Sequence, residues 1–349
     1  MVAATFVPRV QRPGHHGRRH SSRAPSVSAA PAGGGFGAPA AGRRVRLMVL
    51  EDSLFDGTQN RVFHAADVAV RAAALGADAS LVARVAQDDA GAARAKRWLS
   101  ERGVRSHLLQ QGRLPPSARE TGLASLAVEP TRLLLSAISD ADALVFSDPW
   151  SRAARAAAAA ATRPVFTATD AVNAALSGGS ETSASPPLGD GLAVVADAAR
   201  GAWLLVVDAP CAEHLAAHLG LGEELSGPSE GALIRACSAL SSSLGCGVVI
   251  TRLDDRGALL RLRSAAGGRT WECGGASNGS AYVAALVVGL LSPLAKLGGD
   301  GFLGGDEVEW ALAAAAAAAA EATAADAAPL DADALERLAA SWPPAWRVA

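Results

Sequence analysis

Residues 274–291 read GGASNGSAYVAALVVGLL. A glycine-rich turn carrying Ser and Asn runs straight into an apolar stretch of helical length. Such a turn leaves backbone N–H groups free at a helix N-terminus, where aligned peptide dipoles favour an anion such as phosphate. Ser277, Asn278 and Ser280 are equally ordinary N-cap residues, and spacing alone leaves both readings open. Just upstream, residues 247–251 (GVVIT) form a short β-branched run, the pattern of a buried strand. The same alternation extends back through the chain. Strands are predicted at 45–50 (VRLMVL), 80–85 (SLVARV), 142–146 (DALVF), 163–168 (RPVFTA) and 202–207. Helices are predicted at 65–75 and 90–102, closed by Gly76 and Gly103, and at 151–161. Residues 331–342 form a terminal helix stopped by Pro343 and Pro344. The stretch 176–191 (LSGGSETSASPPLGDG) has loop composition and reads as a flexible insertion. Strands alternating with helices imply an α/β domain over 45–345, its mainly parallel sheet covered on both faces.

The chain has 349 residues, half of them apolar and 4% aromatic. Of its 32 basic residues only Lys96 and Lys296 are lysines. That skew, with the abundant alanine, reflects GC-rich coding rather than a charge device. All 34 acidic residues fall after residue 50. The body is therefore acidic and a poor polyanion binder, which argues against nucleic acid as a direct ligand. No apolar run reaches the roughly 18–20 residues that span a bilayer; the best is 281–291. Cys211, Cys237, Cys246 and Cys273 form no CxxC pair, which excludes zinc-ribbon and thioredoxin readings and points to reduced, buried thiols.

Residues 1–44 are rich in Arg, Ser, Ala, Pro and Gly and hold no acid. They lack the compact apolar stretch of a secretory signal and fit an organellar transit segment, plastid before mitochondrion. A disordered basic tail on a cytosolic protein is the alternative.

Ligands of open parallel sheets sit beyond the carboxyl ends of the strands. That rule selects Asp52 and Asp56 after the first strand, Ser147, Asp148 and Trp150 after DALVF, and Thr251 to Gly257 after GVVIT. Asp56 is equally a turn-forming loop residue. Glu213, His214 and His218 (EHLAAHLG) put two histidines on one helix face. The metalloprotease pattern needs Glu directly after the first His, so a solvated face is the reading, and no metal site is assigned. Ala313 to Ala320 is an alanine run inside a helix opened by Asp306 and Glu307. Trp310, Trp342 and Trp346 read as packing or tail contacts.

Five segments in order resemble the PfkB (ribokinase-like) carbohydrate kinase family, nearest the heptose-7-phosphate kinase branch. They are VRLMVLEDSLFD (45–56), AADVAVRAAALGADASLVARVAQDDAGAARAKRWLSERGV (65–104), DADALVFSD (140–148), GVVITRLDDRGALL (247–260) and SNGSAYVAALVVGLL (277–291). The resemblance implies a three-layer α/β/α sandwich with a small β lid, and transfer of the ATP γ-phosphoryl group to a sugar hydroxyl with Mg2+. It places nucleotide or anion contacts at Ser277, Asn278, Gly279, Thr251 and Gly257, and substrate contacts at Asp56, Asp67 and Arg119.

The departures from the family pattern are as informative. The family's general base, an Asp, aligns with Ser280. A serine hydroxyl accepts no proton without its own activating partner, and loss of a base costs about 10²–10⁴-fold in rate. The family's paired glycines align with Val62 and Phe63, and its sugar-binding Asn with Asp67. Its N-x-x-E aligns with Cys211 and His214, neither a hard oxygen ligand for magnesium. Gly274 replaces an Asp, and an ungapped match puts Asp254 on a nucleotide-lining glycine. About ten residues separate Asp56 from Asp67, too few for the family's lid strands there, so a reduced lid is expected. The resemblance thus implies a catalytically impaired PfkB-type protein. Plastid fructokinase-like members that act in gene-expression complexes supply a precedent for a scaffold or regulatory partner in an organelle, with ATP and Mg2+ required only if it is active. The alternatives are a working sugar or sugar-phosphate kinase with a relocated base, for which Asp148, Asp254 and Asp255 are candidates, and a structural member without any ligand.

Overall fold

The computed structural model describes residues 44–55, 64–86, 90–111, 138, 140–147, 163–177, 188–221, 230–253, 256–263, 268–277, 279–296, 303–322 and 329–348. Their strands are β1 (Arg46–Phe55), β2 (Asp78–Ala86), β3 (Arg105–Gln111), β4 (Ala143–Phe146), β5 (Pro164–Thr167), β6 (Leu204–Asp208), β7 (Val248–Arg252), β8 (Ala258–Leu262), β9 (Arg269–Cys273) and β10 (Trp346–Arg347). Their helices are α1 (His64–Ala74), α2 (Ala90–Glu101), α3 (Thr169–Ser177), α4 (Leu188–Ala199), α5 (Ala209–His218), α6 (Glu230–Leu244), α7 (Gly279–Lys296), α8 (Gly305–Glu321) and α9 (Ala332–Ser341).

All ten strands lie in one sheet, ordered β10-β9-β8-β7-β6-β5-β4-β1-β2-β3. From β3 to β7 every pairing is parallel. The last three strands add antiparallel. Side chains of a strand alternate between faces, and the burial follows that rule. Leu47, Val49, Leu204, Val206, Val248 and Ile250 belong to one apolar core, shared with α1, α7 and α8. Met48, Leu144, Leu205, Val207 and Val249 belong to the other, shared with α3, α4, α5 and α6. Both sheet faces are thus covered, as the uninterrupted apolar strands require. The predicted α/β class with a mainly parallel sheet is found.

Helices α7 and α8 pack closely because their contact residues are small. A Cβ at Gly289 would stand about 3.1 Å from the Cβ of Ala311, and Ala313 to Ala319 are buried. The alanine run is therefore a packing surface. Gly76 and Gly103 end α1 and α2 at positive φ, +86° and +73°, as their C-cap reading requires.

Three sequence readings need correction. The insertion placed at 176–191 is narrower, because 176–177 complete α3 and 188–191 open α4. Leu192 and Val195, buried in the second core, hold α4 against the sheet and override the local Gly and Asp. The first strand runs on to Phe55, past a register shift between Glu51 and Leu54 in its pairing with β2. Strand β3 had no counterpart in the sequence reading. The predicted helix 151–161 and the lid segments 56–63 and 112–137 lie outside the described residues.

Candidate functional site

The chain reaches β4 from the sheet edge at β3 and returns to the flank of β1. That reversal is the topological switch point where a crevice opens in such sheets. A narrow recess of about 10 Å3, room for about one water, lies there, lined by Val49 and Leu50 of β1, Val145 and Phe146 of β4, and Ala65 and Val68 of α1. Its other lining residues are Ser147 and Thr167. The Thr167 hydroxyl faces the Phe146 carbonyl at 3.4 Å. The described walls are thus almost wholly apolar.

Asp67 lies in the first turn of the same α1. Its Oδ2 accepts a hydrogen bond from Arg71 Nε at 2.8 Å, an i,i+4 pair. Its orientation, acid toward the N-terminus, suits the helix dipole. The same Oδ2 accepts the hydroxyl proton of Ser280, the second residue of α7. Asp67 and Arg71 keep side-chain exposures of 21% and 17%, while Ser280 is 8% exposed. Helices α1 and α7, far apart in sequence, therefore bring one carboxylate, one guanidinium and one hydroxyl to a single point.

Around that point the turn is built by backbone. Gly279 has φ +80°, and among the described residues nothing stands within 4 Å of where a Cβ would project. Ser277 is fully buried. Gly275 has φ +112°, and a Cβ there would meet the Trp342 ring at 2.6 Å. Trp342 also donates its indole N–H to the Gly274 carbonyl at 3.2 Å. The chain's C-terminal end thus clamps the turn that feeds α7, which gives Trp342 the packing role expected of it. Trp346 is half exposed on the edge strand β10.

A second polar group closes the carboxyl ends of β6 and β7. Arg252 Nε donates to Asp208 Oδ1 at 2.6 Å, and Arg252 Nη2 donates to Thr169 Oγ1 at 3.2 Å. The Asp208 backbone N–H donates to the same hydroxyl at 3.2 Å. Thr251, next to Arg252, is fully buried with its hydroxyl 2.8 Å from Cys237 Sγ. Gly257 has φ +109°, and a Cβ there would overlap the Cys273 carbonyl, so this glycine is required by the packing of β8 on β9. Asp56, Arg119, Asn278, Asp148, Asp254, Asp255, Val62 and Phe63 lie outside the described residues.

The magnesium positions can be tested on this geometry. Cys211 is buried, with its thiol directed at Asn173 Oδ1 (3.4 Å) and the Thr169 carbonyl (3.8 Å). His214 is exposed on the solvated face of α5, with Glu213 and His218. The two side chains point apart and neither is a hard oxygen donor, so they do not fit a magnesium shell. Among the described residues no group of three His, Cys, Asp or Glu could hold a metal. No described helix is long and apolar enough to cross a membrane. None of the four cysteines is in a disulfide, and all four are buried. Burial pushes the thiols of Cys237 and Cys273 up to about 11 and that of Cys246 up to about 12.

Comparison of the whole fold with solved structures is decisive for its class. Phosphofructokinase-2 from Escherichia coli, in complex with substrates and products, superposes with a TM-score of 0.55 at 14% identity, over 85% of this chain and 99% of that one. The fold is ribokinase-like. A PfkB protein from Polaromonas sp. JS666 matches with a TM-score of 0.55 at 15% identity, over 84% and 99% of the two chains. A microbiome-derived acarbose kinase matches with a TM-score of 0.53 at 15% identity, over 85% and 100%. No protein-family model matches the sequence, and no curated protein matches it. At this identity the likeness fixes the ribokinase-like architecture and leaves the chemistry to the side chains.

Sequence reasoning named both Asp67 and Ser280 but assigned them separate tasks. Their contact spans 213 residues and has no local signature. The Arg252–Asp208–Thr169 group went unnoticed; an acid ending one strand and a base ending another were its only signal.

Proposed function

We propose that this protein is a PfkB-type sugar-kinase fold in which phosphoryl transfer is impaired, and that it serves as a scaffold or regulatory partner in an organelle, the plastid first. One observation carries the reading. At the head of α7, where the resemblance puts the proton-accepting Asp, stands the Ser280 hydroxyl, bonded to a carboxylate that Arg71 already neutralises. A working base needs a free proton-accepting atom beside the attacking hydroxyl. Two further features support the reading. The magnesium positions carry Cys211 and an exposed His214, and the switch-point recess is apolar. The turn at 277–279 keeps its left-handed glycine and its place at a helix start, so weak nucleotide or phosphate binding there is compatible with lost turnover.

The test is direct. Purified full-length protein is incubated with ATP and a panel of sugars and sugar phosphates, and product is followed by labelled phosphate. Turnover in the range of about 1–100 s⁻¹ typical of kinases would refute the reading. A melting-temperature rise with ATP or ADP separates a binder from an empty scaffold, and co-purification from isolated plastids tests the partner role.

A further inference from the structure

Charge is sorted by sign along this chain. Residues 90–107 carry five basic side chains and one acid, and residues 303–342 carry eight acids and one base, Arg337. The fold sets these two stretches at opposite ends of one helical layer. Helix α2 packs on the edge strand β3, α1 on β1 and β2, α7 on α1, α8 on α7, and α9 on α8. Packed helices lie about 8–10 Å apart, so roughly 30–40 Å separates α2 from α9. That is several times the screening length of about 8 Å at physiological salt, and one copy cannot neutralise its own two ends. At the basic end Lys96, Arg97, Arg102 and Arg105 are exposed. Arg105 pairs with Asp78 at 2.8 Å, whereas among the described residues Lys96 and Arg97 make no ion pair. The Arg102 guanidinium lies 4.2 Å over the half-buried Trp98 ring and donates to the Trp98 carbonyl at 3.2 Å. It is thereby held in place, and Arg and Trp are the side chains that most often anchor protein contacts. At the acidic end Asp306, Glu321, Asp331 and Asp333 are exposed, and α8 has no basic residue to answer its acids.

We propose that the basic face of α2 and β3 docks on the acidic face of α8 and α9 of a second copy of this chain. The occupant is a second copy because every chain brings one face of each sign, too far apart to meet within it. Like-signed faces repel, which disfavours a two-fold pairing of α2 with α2 or of α9 with α9. The contact is therefore head-to-tail, and it closes into a ring or grows as an open chain. Exposed ion pairs are individually weak and screened by salt, so the association is reversible and strongest at low ionic strength. Asp67 and Ser280 take no part in it, and it is independent of whether the chain transfers phosphate.

The experiment follows full-length protein by sedimentation velocity over a range of concentrations, at low and at high salt. One variant reverses the basic face, Lys96→Glu with Arg97→Glu, and another the acidic face, Glu321→Lys with Glu336→Lys. Thermal melts check folding, and the milder pair Lys96→Gln with Arg97→Gln stands in should the reversal unfold α2. The expected wild-type mass rises with concentration at low salt and returns to that of the monomer at high salt. Either reversal alone should weaken association about tenfold or more. An equimolar mixture of the two reversed variants should restore it, because each reversed face then finds a reversed partner; damaged folding gives no such rescue. A monomer at every concentration at low salt overturns the proposal. So does association that persists at high salt or ignores both reversals, the mark of an apolar contact. Loss confined to the acidic-face variant overturns it too, since another basic stretch, such as residues 1–44, would then be the ligand of that face. A mixture that stays monomeric overturns the pairing of α2 with α8 and α9.

Discussion

Replacing Ser280 by Asp restores the residue that the PfkB resemblance calls for, yet the structure expects this variant to be worse folded. The new carboxylate would face Asp67, which now receives the Ser280 hydroxyl proton. Two unit charges about 4 Å apart at an effective dielectric of about 20 repel by about 4 kcal/mol. Three effects reduce that figure. Arg71 is bonded to the same Asp67 oxygen and would be shared by both acids. Partial exposure of Asp67 and Arg71, 21% and 17%, screens the charges. An acid in the first turn of α7 also gains about 0.3–1 kcal/mol from the helix dipole. Against this, the charge-assisted bond from Ser280 is lost, worth about 1.5–3 kcal/mol. The balance is a destabilisation of about 1–2 kcal/mol, a melting temperature lower by about 2–4 °C in a domain of this size.

The double variant Asp67→Asn with Ser280→Asp removes the repulsion and gives the new carboxylate an amide donor. It should return to near wild-type stability, with a coupling of at least about 1 kcal/mol in the double-mutant cycle. Denaturant unfolding at neutral pH measures all four corners. Additive single changes, or a Ser280→Asp variant as stable as wild type, would mean that α1 and α7 do not bring these side chains together.

Tyr282 is fully buried, and among the described residues its hydroxyl has no hydrogen-bond partner; burial drives its ionisation far above the ordinary tyrosine value. Tyr282→Phe removes an unsatisfied polar atom and should stabilise the fold by about 1 kcal/mol, read as a higher denaturation midpoint. Gly257→Ala sets a Cβ against the Cys273 carbonyl at φ +109° and should cost at least about 3 kcal/mol, seen as insoluble or premelted protein. At pH 8 the thiols of Cys237, Cys246 and Cys273, raised to about 11, 12 and 11, should react with a thiol reagent only after denaturant is added; rapid labelling of the native protein would contradict their burial.

The parallel half of the sheet was legible because its strands are covered on both faces and read as short apolar runs, such as ALVF and LLVVD. The helix ends were legible where glycine had to take a positive φ, at Gly76 and Gly103. The antiparallel half was less so. Strand β9 (RTWEC) alternates exposed Arg269 and half-buried Glu272 with buried neighbours, and only its pairing with β8 makes it a strand. At the other edge, β3 (RSHLLQQ) is mostly polar and depends on β2 in the same way. Helix α4 begins with LGDG, whose local preference for a turn yields to the burial of Leu192 and Val195. The candidate site was legible as a set of residue types and illegible as a contact, since no local pattern announces that α1 and α7 meet.

Under the proposed reading, that contact would let binding and turnover part company. In the resemblance, position 67 carries a neutral amide and position 280 the carboxylate; here the carboxylate sits at 67 and the neutral group at 280. Moving the charge from α7 to α1 has two effects of opposite sense. Helix α7 loses any acid from its first turn, so its positive end is no longer offset by a side chain of its own and repels an incoming phosphate less. At the same time the acid on α1 is held by Arg71 in an i,i+4 pair, which fixes its position and ties up one oxygen. Under the proposed reading, an anion at the head of α7 would meet less repulsion, while the proton acceptor would lie one hydroxyl further away. A protein selected to sense nucleotide without consuming it would gain from both changes, and the sensitive comparison is nucleotide affinity between wild type and Ser280→Asp. Weaker binding by the restored carboxylate, despite its closer match to the family pattern, is the outcome this electrostatic argument requires; equal or tighter binding would show that the charge on α1, not the head of α7, governs the approach of phosphate.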